Sequence, residues 1–349
     1  MRSFLLFPFA FLFRIAVFLR NKLYDYGILN MSRLNAKVVS VGNITTGGTG
    51  KTPMAEFIAD YFLRKNKVVA IVTKGYKRTY DDIQVAELGY KNESKSITSE
   101  KFGDEGLVLL ETFQNLEPGK GIIVVSDDKK SGARLADNKF KADVIIIDDG
   151  FQHRKLFRDL DIALVSFNFK RRLLPAGDLR EPFHNLHRAD IIIQNHKFDK
   201  EILKHIKGIP GSALDCTYEL ESFRNDSGQI LESKNLKATA FCGIADPDSF
   251  KNLLEMKGIE INSISEFSDH HNFTPGDIHK IVMLYEKNKS NCILTTHKDF
   301  VRIKYSASLA KAAQNLLLNY PLYYAKIKLQ IPKNSNILTD SLDKLFEGP

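Results

Sequence analysis

The stretch 38–53, in which the apolar run VVSV opens into GNITTGGTGKTP, limits what this chain can become more than any other part of it. The β-branched run reads as a buried strand, and the segment from Lys51 onward reads as a helix. A glycine-rich turn between the two lets backbone N–H groups close on phosphate oxygens at a helix start. On this reading Thr46, Gly47, Gly48, Thr49, Gly50, Lys51 and Thr52 hold the phosphates of a nucleotide. Lys51 would reach the β and γ phosphates, and the Thr52 hydroxyl would ligate Mg2+. The loop is a variant. The standard spacing requires glycine where Thr45 stands, and the lysine-bearing ATPase form requires lysine where Thr46 stands.

Similar β-branched runs recur at 68–72, 122–125, 144–147, 162–165 and 191–193, with helical-length segments between them. Such runs are the mark of a doubly wound parallel α/β sheet, here P-loop NTPase-like. After Asn195 the pattern changes to a second, smaller α/β unit, with candidate strands at 238–242 and 292–295 and helices near 248–257 and 275–288. Alternation in TYELESF at 217–223 and YYAKIKLQI at 323–331 predicts a two-stranded linker. The expected organisation is an N-terminal segment 1–22, a P-loop domain 23–212 and a smaller domain 213–349. A length of 349 residues suits two cores.

A second phosphate-site element is DVIIIDDGFQH at 143–153. An aliphatic strand ending in carboxylates delivers an acidic group beside the phosphate loop to hold Mg2+, directly or through water. Adjacent carboxylates on a strand point to opposite faces, so Asp148 and Asp149 are both candidates and the sequence does not choose between them.

The charge balance, 50 Lys and Arg against 42 Asp and Glu, suits an anionic partner. The three cysteines, Cys216, Cys242 and Cys292, are far apart and form neither a disulfide framework nor a zinc set. The segment 4–19, FLLFPFAFLFRIAVFL, is apolar except for Arg14 and is flanked by Arg2, Arg20 and Lys22. A helix of that length covers about 24 Å, short of the roughly 20 residues that span a bilayer. A signal peptide or a buried capping helix is an alternative, but the pattern reads as a monotopic anchor with its cations near lipid phosphates.

Beyond single motifs, eight blocks in order resemble the tetraacyldisaccharide 4'-kinases, the lipid A 4'-kinases. They are SVGNITTGGTGKTP at 40–53, TKGYKR at 73–78, GDEG at 103–106, DDGFQH at 148–153, LLPAGDLRE at 173–181, FCGIADPDSF at 241–250, DHHNFT at 269–274 and THKD at 296–299. Lys74, Lys77 and Gly106 depart from the usual family pattern. The resemblance implies ATP and Mg2+ as cofactors and transfer of the γ-phosphoryl group to the 4'-hydroxyl of an acylated glucosamine disaccharide 1-phosphate. It implies a membrane surface and no nucleic acid as partner, at the cytoplasmic face of the inner membrane. The acceptor hydroxyl must lose a proton, for which Asp104 is the first candidate. The resemblance pairs that Asp with a histidine of the DHH block, mapped onto His270 with His271 as alternate. It also makes Glu181 a further Mg2+ carboxylate and Arg180 a phosphate contact. Two rival readings were set beside this one. The first is a nucleotide switch, suggested by His196, Lys197 and Asp199 after a strand; the second is a membrane adaptor without catalysis.

Overall fold

The computed structural model describes residues 6–76, 78–88, 97–113, 120–167, 169–198, 205–211, 213–232, 236–332 and 336–347. Lys77, Asp199 and the expected boundary residue 212 lie outside the described residues. In chain order the first part comprises α1 (Phe7–Asp25), β1 (Lys37–Asn43), α2 (Lys51–Arg64), β2 (Val69–Thr73), β3 (Gln84–Glu87), α3 (Ser99–Thr112), β4 (Gly121–Val125), α4 (Lys129–Phe140), β5 (Val144–Asp148), β6 (Leu160–Ser166) and β7 (Ile191–Asn195). The second comprises β8 (Ala213–Arg224), β9 (Ile230–Leu231), β10 (Lys237–Cys242), α5 (Pro247–Met256), β11 (Glu260–Glu266), α6 (Pro275–Lys287), β12 (Cys292–Thr296), α7 (His297–Lys304), α8 (Ala310–Asn319), β13 (Leu322–Gln330) and α9 (Ile337–Lys344).

The strands form one sheet in the order β11-β10-β12-β13-β8-β7-β6-β1-β5-β2-β4-β3, with β9 beside β8. β1 pairs in parallel with β5 on one side and β6 on the other, which sets the phosphate loop at the end of an interior strand. This is a P-loop NTPase-like α/β fold, mostly parallel, and it has the helices on both faces that parallel strands require. The antiparallel pairs are β3 with β4, β8 with β13 and β8 with β9.

β8 carries the sheet from one unit into the other. Its first residues, Ala213 to Cys216, pair in parallel with β7, and Thr217 onward pairs antiparallel with β13. The pair at 217–223 and 323–331 is therefore part of a continuous sheet. Each half of one long strand has a different neighbour, and only the second half shows the alternation that a one-sided strand produces.

The cores follow from the sequence pattern. α2 buries Met54, Ala55, Ile58, Ala59 and Phe62 against Val39, Val41 and Ile146 of the sheet. α4 covers the opposite face with Ala133 and Ala136, and there a Cβ on Gly132 would already sit 3.0 Å from Val72 and Ser126. In α1 the buried side chains are Ala10, Val17, Asn21 and Tyr24, which share one stripe at helical spacing. The outer face leaves Phe7, Phe9, Phe11, Leu12, Phe18 and Leu19 each more than half exposed. Among the described residues no helix is long and apolar enough to cross a membrane.

Gly42, near the end of β1, is where the phosphate loop and the DDGFQH turn meet most closely. A Cβ there would lie 2.5 Å from the Phe151 nitrogen and 2.6 Å from the Phe151 Cβ. Gly42→Ala should therefore cost roughly 1–3 kcal/mol in urea unfolding, the usual scale for overpacking. An unchanged midpoint would contradict this packing.

Candidate active site

The phosphate loop is shaped by two left-handed glycines and braced by polar side chains from beneath. Gly47 and Gly50 both have φ of +96°, a conformation that L side chains rarely adopt. The Asn43 amide donates to the Thr49 hydroxyl at 2.8 Å, and the Asn195 amide donates to the Thr49 carbonyl at 2.9 Å and to the Tyr218 hydroxyl at 2.8 Å. Asn195 thus supports the loop. Its neighbour Lys197 is ion-paired with Asp246 of the second unit. One expectation changes at the outer edge. The Thr46 amide donates to the Asp178 carbonyl at 2.8 Å, so it is committed to protein and does not face phosphate. The cradle is left to Gly47 through Thr52.

At the end of β5 the neighbouring carboxylates are differentiated by their surroundings. Asp149 lies 3.6 Å from the Lys51 ammonium and accepts from Arg180 Nη1 at 2.9 and 2.8 Å on its two oxygens. Burial would raise its pKa, but Lys51, Arg180 and Lys129 outweigh burial and hold it at about 2. Asp148 is buried beneath, with Thr73 donating to Oδ2 at 3.3 Å and Oδ1 without a hydrogen-bond partner among the described residues. Burial pushes its carboxyl up to about 6, although Lys129 and Lys51 pull it down. An orphaned, desolvated carboxylate oxygen beside a phosphate loop is the chemistry a hard cation satisfies. Among the described residues no three His, Cys, Asp or Glu side chains converge on one point.

Lys129 was not foreseen as a site residue. It is buried, and its ammonium donates to the carbonyls of Asp148 at 2.6 Å and Asp149 at 2.8 Å, fixing the turn that presents both. Burial lowers its pKa against the pull of Asp149 and Asp148.

A second cluster joins the two units. Gly103, with φ of +63°, interrupts α3, and a Cβ on it would meet the Gly75 backbone at 2.6 Å. This packs the GDEG block against TKGY and points Asp104 inward. Asp104 Oδ2 lies 2.6 Å from His270 Nδ1 and accepts from Arg302 Nε at 2.8 Å. Arg302 also donates to Asp299 at 2.6 Å and to the Gly243 carbonyl at 2.8 Å. Asp299 in turn accepts from the Gly243 amide at 2.8 Å and the Thr296 hydroxyl at 2.7 Å, so each charge of this cluster is compensated. Burial would raise the Asp104 pKa, but hydrogen bonding from His270 and the Arg302 charge hold it below the ordinary value. The Tyr76 ring packs on the His270 imidazole with centroids 4.6 Å apart. His271 instead meets Asp277 at 3.1 Å, the acid that closes the capping box of α6. The two clusters are electrostatically in touch, because Glu105, next to Asp104, is among the groups that raise Asp148.

Glu181 is not brought to the metal carboxylates in this arrangement. Its oxygens accept from Asn185 at 2.8 Å, Arg188 at 2.9 and 3.1 Å, and Asn21 of α1 at 2.9 Å. This fully buried carboxylate is thus engaged by protein on both oxygens, three of these bonds falling on Oε2 and one on Oε1.

Comparison with known proteins agrees with this architecture. The family model for tetraacyldisaccharide-1-P 4'-kinase matches residues 2–347. The tetraacyldisaccharide 4'-kinase of Chlorobium phaeovibrioides is 34% identical, over 98% of this chain and 98% of its own. That of Aquifex aeolicus is 33% identical, over 87% of this chain and 90% of its own. A crystal structure of the Aquifex aeolicus protein, an "apo" form in complex with ATP, superposes with a TM-score of 0.78 at 28% identity, covering 99% of this chain and 100% of that one. The chain belongs to the tetraacyldisaccharide 4'-kinase family.

Proposed function

We propose a division of labour for the reaction of this family, the ATP-dependent phosphorylation of the 4'-hydroxyl of tetraacyldisaccharide 1-phosphate in lipid A biosynthesis. Gly47 through Thr52 bind the triphosphate, and Lys51 draws charge from the β and γ phosphates. Thr52, Asp148 and Asp149 would hold Mg2+, which neutralises phosphate charge as the loose transition state forms. His270, rather than the first candidate Asp104, whose Oδ2 is engaged by His270 and Arg302, takes the proton of the 4'-hydroxyl. With Nδ1–H donated to Asp104, the neutral ring carries its lone pair on Nε2, the nitrogen suited to act as base. Asp104, held ionised by Arg302, orients the ring and stabilises its protonated form. The observation that carries this reading is the 2.6 Å contact between Asp104 and His270, made across the two units.

Membrane attachment is part of the same reading. The exposed apolar face of α1 suits the acyl boundary of a bilayer, with Arg14, Arg20 and Lys22 near its phosphates. An acylated substrate presents its sugar hydroxyl at that surface. This favours a peripheral or monotopic position at the cytoplasmic face of the inner membrane.

The first test is transfer of labelled γ-phosphate from Mg-ATP to tetraacyldisaccharide 1-phosphate in detergent micelles. Asp104→Asn and His270→Ala should each lower kcat by roughly 10²- to 10³-fold with little change in the KM for ATP, the scale of losing a positioned proton-transfer group. A kcat within a few-fold of wild type would remove the pair from the mechanism.

The pH dependence of metal binding tests the Asp148 assignment. Mg2+ requires the ionised carboxylate, and with a pKa of about 6 that form gives way to the acid as pH falls through that value. Between about pH 7 and about pH 5, Mg2+ affinity measured calorimetrically with a non-hydrolysable ATP analogue should fall about tenfold beyond the analogue's own titration. A flat profile would contradict a metal role for Asp148.

A further inference from the structure

Arg180 and Glu181 are adjacent in the chain and are held by different parts of the molecule. Arg180 donates to both oxygens of Asp149, and its amide donates at 2.8 Å to the Ile44 carbonyl in the phosphate loop. Glu181 accepts at 2.9 Å from Asn21 of α1, with Arg20 of the same helix 3.4 Å away. Arg154, just beyond the DDGFQH turn, closes the circuit by donating to the Asn21 carbonyl at 3.1 Å and pairing with Asp25 at 3.0 Å. The Glu181 charge needs none of these helix contacts, because Arg188 and Asn185, on the short turn Phe183–Arg188, already compensate it. What the Asn21 contact adds is a fixed relation between α1 and the dipeptide that grips Asp149.

We infer that Asn21 is a positioning residue for phosphoryl transfer, and that the seating of α1 sets, through Glu181, where Arg180 holds Asp149. A displacement of α1 cannot be taken up between neighbouring residues whose side chains are both engaged, so it reaches the carboxylate beside Lys51. The outer face of α1 is exposed apolar surface, and whatever covers that face shares control of the helix's position. On the membrane reading above, on which this inference rests together with the metal role of Asp149, a lipid surface biases the site toward its working geometry.

Asn21→Ala tests this on the full chain. The variant leaves Glu181 compensated by Arg188 and Asn185 and leaves the apolar face intact. At saturating lipid acceptor, and well below the unfolding midpoint of each variant, kcat should fall roughly tenfold, the scale of a lost hydrogen bond to a buried charge. The Mg2+ concentration for half-maximal rate should rise, while binding to phosphatidylcholine vesicles stays as in wild type. Arg20→Gln should move kcat and Mg2+ dependence in the same direction by less, and it decides the matter if Asn21→Ala does not fold. A residue that merely anchors the helix gives the opposite split: weaker vesicle binding and a higher KM for lipid, with kcat and Mg2+ dependence unchanged. That result overturns the inference. Asp149→Asn separates the underlying reading. If its Mg2+ dependence is that of wild type, the metal assignment fails; if it shifts while Asn21→Ala and Arg20→Gln do not, only the coupling fails.

Discussion

Asp104 is a buried carboxylate that stays ionised, and the rest of the site depends on how that is achieved. A lone charge taken out of water is costly and normally neutralises by shifting its pKa upward. Here the His270 hydrogen bond and the guanidinium of Arg302 prevent that, and Arg302 is itself compensated by Asp299, whose remaining oxygen is satisfied by Gly243 and Thr296. The array alternates in sign and is hydrogen-bonded throughout, the condition under which buried ions are tolerated. Since Asp104 comes from the first unit and Arg302, Asp299 and His270 from the second, the same array joins the units.

The phosphate site balances charge differently. Lys51, Lys129 and Arg180 face Asp148 and Asp149, and the cations outnumber the carboxylates before any nucleotide arrives. That excess suits a polyanionic ligand, while the orphaned Asp148 oxygen suits a cation bound with it. Separation of the two pKa values, one near 2 and the other near 6, gives adjacent residues different duties. Asp149, tied to Lys51 and Arg180, would offer Mg2+ a permanent charge, and Asp148 a carboxylate whose ionised form the metal would favour.

Much of this was legible in the sequence because it is local. The interior strands announce themselves as β-branched runs, and the phosphate loop and the DDG turn lie next to the strands that present them. Asp104 and His270 were reached only through a resemblance spanning many blocks. What stayed hidden was set by distant partners. Arg302 sits three residues from Asp299 in an ordinary helical pair, and nothing local indicates a carboxylate 198 residues away. Lys129 lies in a polar run, SDDKK, that reads equally well as a solvated helix start. The partners of Glu181 lie on α1 and the following turn, whereas its neighbour Arg180 reaches Asp149, and nothing in the sequence separates the two.

The central claim is that Asp104 and His270 act as one unit. A double-mutant cycle on kcat tests it most directly, comparing Asp104→Asn, His270→Ala and the double variant under saturating ATP and lipid. Groups acting as a unit are strongly non-additive, so the double variant should be no slower than the slower single variant to within a few-fold. Losses that multiply would mean that the two residues contribute independently, and would contradict the paired-base account.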